Sequence, residues 1–120
     1  MTYEGWTNYE TWNVALWIDN EYAIYLSKIE LFKVISNRND RNDIETFEVI
    51  KLKSVVREDD VKSFALRWFP KGTPDMHNCP RINERNLNQT PMGKVNWKEI
   101  AEHWQAQLNE RETYQGSHHE

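Results

Sequence analysis

Two groupings of side chains in this sequence carry the residue types of a reactive site. His77 and Cys79 flank Asn78 and could supply a nucleophile with its base, or a pair of metal ligands. A metal site needs further ligands, and the other histidines, His103, His118 and His119, make no familiar spacing with that pair. The plainer reading takes Cys79 as a small, partly buried apolar residue and His77 as a polar loop residue. Glu99 and His103 lie one helical turn apart with Glu102 adjacent, which gives a carboxylate and imidazole on one face. Glu99 is better explained as a helix-capping residue, and His103 as a solvent-facing neighbour of Trp97 and Trp104. There is no glycine-rich phosphate loop, nucleophile elbow or HExxH. The expectation is a protein that is not an enzyme and takes no cofactor or metal.

Recognition chemistry is better represented. Arg38 and Arg41 sit in the polar run NRNDRND, and Arg81 and Arg85 alternate with Asn83, Asn86 and Asn88. Arginine with asparagine suits phosphates and base edges. It is equally ordinary in solvated loops, and no aromatic residue lies between Arg81 and Arg85 to stack on a base. The formal net charge of −4 also opposes general polyanion binding. Six tryptophans in 120 residues are a surplus, and tryptophan and arginine dominate interface hot spots. Trp6 and Trp17 are the candidates for a partner contact, because they lie off the Tyr9, Trp12 and Leu16 stripe; filling the core is the plainer alternative. Arg81, Asn83, Arg85 and Asn86 complete the candidate partner-binding set.

The elements that must position these residues are helical. Thr7 followed by Glu10 has the form of a capping box, which places an N-cap at Thr7. The helix that follows is apolar nearly all round, with Tyr9, Trp12 and Leu16 on one stripe and Val14, Trp17 and Ile18 on another. A buried central helix is expected. A second helix, about Glu21 to Ser36, carries Tyr22, Tyr25, Ile29 and Phe32 on one face, with Ile24, Leu31 and Ile35 widening its apolar arc. Asn37 to Asp43 reads as a connector. Residues 44–56 favour helix over strand, although FEVIKLKSVV is β-branched. Glu58, Asp59 and Asp60 open a short helix with Val61, Phe64, Ala65 and Trp68 on one face, and Pro70 stops it at Phe69.

Residues 70–94 hold all four prolines and almost no apolar periodicity, and a loop of that length is either functional or disordered. Then Asn96 as N-cap, Glu99 at N3, and Val95 against Ile100 as a staple start a last helix. Its stripe of Trp97, Ile100, Ala101, Trp104 and Leu108 should close over the first helix. The tail, residues 113–120, has little to bury and is expected to be flexible.

The stretches GWTNYETWNVALWI and VNWKEIAEHW, Gly5 to Ile18 and Val95 to Trp104, resemble a family of small uncharacterised proteins encoded by phages, plasmids and some bacterial genomes. Members open with a GxTNxxTWxVxLW-like signature and close with a V-N/D-W-x-E-I-A-E helix. Residues 21–94 carry no such likeness. The family has no established catalytic or ligand-binding residues to carry over, so the resemblance implies a mobile-element context alone.

These readings converge on an all-α domain over residues 1–112, a compact bundle of four to five helices with one long irregular loop. A single cysteine fits a reducing compartment, and MTYEGWTNYE lacks the basic and apolar regions of a secretory leader. A cytoplasmic protein without a membrane span is expected. The expected function is non-enzymatic binding and modulation of a host protein, as an anti-defence inhibitor such as an anti-CRISPR or as a host-takeover factor. The alternative is a nucleic-acid-binding accessory protein using Arg38, Arg41, Arg81 and Arg85.

Overall fold

The computed structural model describes residues 2–43, 55–78 and 91–118. Within them the chain is all-α: α1 (Tyr9–Asn20), α2 (Tyr22–Asp43), α3 (Glu58–Trp68) and α4 (Trp97–His118), with short 3-10 turns at Pro74–Asn78 and Pro91–Lys94. Helix α1 packs on α2 and α4, and α3 packs on α4. The core forms where these helices meet around Trp104, whose ring receives Phe32 of α2 and Phe64 of α3 edge-on at 5.7 and 5.5 Å. Trp104 is 2% exposed, whereas Trp12, expected at the centre, is half-buried under Tyr3 and Tyr9 at 4.8 and 5.6 Å. The core side of α1 is the other stripe, with Val14 and Ile18 fully buried.

Capping decides how the two signature stretches meet. Helix α1 starts one residue later than the capping box implies, because Asn8 rather than Thr7 is the N-cap and accepts from the Thr11 N–H at 2.9 Å. Thr7 is engaged elsewhere: its hydroxyl accepts from the Asn96 side-chain amide (3.2 Å), and its N–H donates to the Glu99 carboxylate (3.0 Å). Asn96 caps α4 as expected, accepting from the Glu99 N–H at 3.1 Å. Glu99, however, does not complete a capping box on its own helix. The Asn96 N–H it would satisfy donates instead to the buried hydroxyl of Thr11 at 2.8 Å. That hydroxyl also donates to Asn8, and the Asn8 amide donates to the Lys94 carbonyl at 2.8 Å. Orphan donors at two helix N-termini are thus satisfied by side chains of the opposite helix, which couples the ends of the chain.

Other departures have local causes. Helix α2 runs through the expected connector to Asp43. The run Asn37 to Asp43 contains no proline or glycine, so continuing the helix costs only a few tenths of a kcal/mol per residue. Its core face is Ile24, Lys28, Phe32 and Ile35, so Tyr22 and Tyr25 lie outside. Residues 44–54 lie outside the described residues, and Val55 and Val56 belong to no helix. Helix α3 begins with the Arg57 N–H donating to Asp60 at 2.8 Å. At its other end the backbone leaves helical geometry at Phe69 (φ −133, ψ 66), which turns Phe69 into the core and leaves Trp68 39% exposed. The long loop is anchored on both sides: Met76 and Met92, one in each 3-10 turn, are fully buried. Helix α4 continues to His118, so the backbone is helical where composition predicts a frayed tail.

Candidate partner-binding surface

Most of the residues nominated for chemistry have side chains outside the described residues. Cys79 lies outside the described residues, as do Arg81, Asn83, Arg85 and Asn86. His77 belongs to the first 3-10 turn, and Arg38 and Arg41 occupy the last turns of α2. His103 is exposed and stacks on Trp6, with ring centroids 4.0 Å apart and planes at 27°. Among the described residues no three His, Cys, Asp or Glu side chains gather in a way that could hold a metal ion. None of their helices is long and apolar enough to cross a membrane.

The polar residues of the first signature have structural partners. Asn13, which interrupts the apolar surface of α1 in the sequence, is fully buried and accepts from the Thr73 hydroxyl. Its amide donates to Asp75 at 2.8 Å, and the Trp17 indole N–H donates to the same carboxylate oxygen at 2.9 Å. Gly72 lets the chain turn just before these residues, since its φ of +117 belongs to the left-handed region and a Cβ there would lie 3.3 Å from that of Met76. Trp17 is half-buried, edge-on to Phe69 at 6.3 Å, and lines an open cleft of about 210 Å³ with Leu16, Asn20, Glu21 and Asp75. Trp6 is likewise half-buried.

A second polar residue inside the bundle is Lys28, 2% exposed. Its ammonium donates to Asp19 and, at 2.9 Å, to Gln107, and it lies 5.2, 5.7 and 5.9 Å from the ring centroids of Tyr25, Phe32 and Trp104. Burying a charge is costly unless it is paired and hydrogen-bonded. Here the carboxylate, the amide and the faces of the rings meet that requirement.

The hydrogen bonds from Thr7, Asn8 and Thr11 to Lys94, Asn96 and Glu99 tie the N-terminal segment to the start of α4. A family model matches residues 1–112. The chain belongs to DUF7249, a family of unknown function. The match covers α1, α2 and α3 and ends within α4. Searches of the curated proteins and of the solved structures return no match.

Among the described residues of this DUF7249 chain, four of the seven large apolar side chains left exposed belong to α2, the others being Tyr3, Val55 and Trp68. Tyr22 is 72% exposed, and Tyr25 and Leu26 follow it on the outer face, with Val34 58% exposed further along. The sequence pattern places Tyr22 and Tyr25 on one apolar face with Ile29 and Phe32. The signal that could have found them is the width of the apolar arc: Tyr22, Tyr25, Ile29, Phe32, Ile24, Leu31 and Ile35 cover more of the helix than one packed face can hold. Beside this face α2 and α3 border a trough of about 430 Å³, floored by Leu31 and Phe64.

Proposed function

We propose that this chain is a non-enzymatic protein of a mobile element that binds and modulates a host protein, as an anti-defence inhibitor such as an anti-CRISPR or as a host-takeover factor. The observation that carries the reading is the outer face of α2, where Tyr22, Tyr25 and Leu26 stay exposed on a domain with a well-filled core. Tyrosine is a preferred interface anchor because its ring buries a large area at low entropic cost while its hydroxyl keeps a polar partner. Trp17, set in its cleft, is a second contact on the same protein. The mobile-element context rests on the resemblance of Gly5 to Ile18 and Val95 to Trp104. The protein acts in the bacterial cytoplasm.

The test is capture of partners from host lysate by the tagged chain at about 50 and 300 mM salt, with and without nuclease. A defined host protein retained at the higher salt and after nuclease is the expected result. Retention only at low salt and lost on nuclease treatment would transfer the function to nucleic acid and to Arg38, Arg41, Arg81 and Arg85, because phosphate contacts weaken steeply with salt.

A further inference from the structure

We propose that the trough between α2 and α3 receives a basic amphipathic helix of the protein partner, an inference that rests on the reading of this chain as an interaction protein. The trough has an apolar floor and an acidic rim. Leu31, Val34 and Phe64 supply the apolar surface, with Val34 more than half exposed. Among the described lining residues, Glu30 on the α2 side and Asp59 and Asp60 on the α3 side supply three carboxylates, against the guanidinium of Arg67, with Lys33 beside Glu30. Ser27 and Ser63, one on each wall, are short and leave the space between the walls open.

The length of the walls fits a helix. Ser27 to Val34 and Asp59 to Arg67 each run about 10–12 Å along their helices, which is about two turns of a guest helix. Helix-in-groove recognition places an apolar stripe on such a floor and flanking charges on its rim. The rim selects the sign of those charges. Asp59 is exposed, and among the described residues Glu30 is engaged by Lys33 alone, at 3.2 Å across a pair whose members are 71% and 62% exposed. An exposed pair of that kind contributes about 0–1 kcal/mol, so a partner lysine or arginine can share or replace it. Phosphates are repelled by the same rim. A second copy of this chain is disfavoured too, since each copy carries a formal charge of −4.

The probes are three helical peptides of roughly 15–20 residues, long enough to hold a helix: a Leu/Lys amphipathic peptide, a scramble of the same composition, and a Leu/Glu peptide of the same pattern. Each is titrated into the isotope-labelled full chain. Saturable binding of the patterned Leu/Lys peptide is expected, with amide shifts centred on residues 27–34 and 59–67, at least about tenfold weaker binding of the scramble, and none of the Leu/Glu peptide. The double variant Glu30→Lys, Asp59→Lys changes two exposed positions and should melt within several degrees of the parent, the small loss coming from the first-turn charge of α3 and the Lys33 pair. It should bind the Leu/Lys peptide at least about tenfold more weakly and gain the Leu/Glu peptide. Equal affinity for the scramble, shifts centred elsewhere, or no saturable binding overturns the proposal. Host capture with the double variant separates the two readings. A host protein held equally by parent and variant leaves the interaction reading standing and removes the trough, whereas a parent that captures nothing removes the interaction reading.

Discussion

Thr11 is the side chain on which the joining of α1 and α4 turns. Its buried hydroxyl accepts from the Asn96 N–H and donates to Asn8, so Thr11→Val keeps the shape and leaves a backbone donor without its acceptor. The expected loss is about 1–3 kcal/mol in urea denaturation. Thr7→Val, at an exposed position, should cost less than about 0.5 kcal/mol. A near-equal pair of values would contradict the roles drawn here for the two threonines. Lys28 offers a second contrast. Lys28→Met replaces the buried ammonium by an apolar chain of similar length, and Asp19, already 45% exposed, can rehydrate. Buried ion pairs replaced by apolar groups are often neutral or more stable, whereas removal of one partner leaves a buried charge uncompensated. Asp19→Ala should therefore be the more destabilising change in the same assay, even with Gln107 still in place. The reverse order would show that the ammonium contributes net stability.

At the level of elements, the N-terminal turn offers a stabilising prediction. Tyr3 and Trp6 exchange both backbone hydrogen bonds at 2.8 Å around Glu4 and Gly5, whose φ values are both positive, at 51 and 85. That is the geometry of a type I′ turn, which favours Asn-Gly. Glu4→Asn should raise stability by about 0.5–1 kcal/mol in thermal or urea unfolding, since asparagine tolerates the left-handed region better than glutamate. A loss would show that Glu4 makes a contact worth more than the backbone preference. The elements also divide by how local their causes are. The start of α4 is legible because Val95, Asn96 and Ile100 act within a few residues of each other. The start of α1 is not, because Thr7 and Asn8 are both cap residues and the choice depends on Asn96 and Glu99, far along the chain. The burial of Asn13 was illegible for the same reason, as its partners Thr73 and Asp75 come from the far side of α3. The apolar arc of α2 was legible, but which part of it met a neighbour was a tertiary matter. The side chains of Arg38, Arg41, Arg81 and Arg85 lie outside what the structure describes.

For the molecule as a whole, a core centred on Trp104 and an interlocked pair of helix starts hold four helices together, and the outer face of α2 is left exposed. The most direct measurement is capture from nuclease-treated host lysate at about 300 mM salt, with the parent beside Tyr22→Glu, Leu26→Glu. Both positions are exposed, so the variant should melt within a few degrees of the parent. The parent should retain a defined host protein and the variant should lose it, with the affinity falling about tenfold or more. A variant that folds and captures the same protein as strongly as the parent would contradict the assignment of this face as the partner-binding surface.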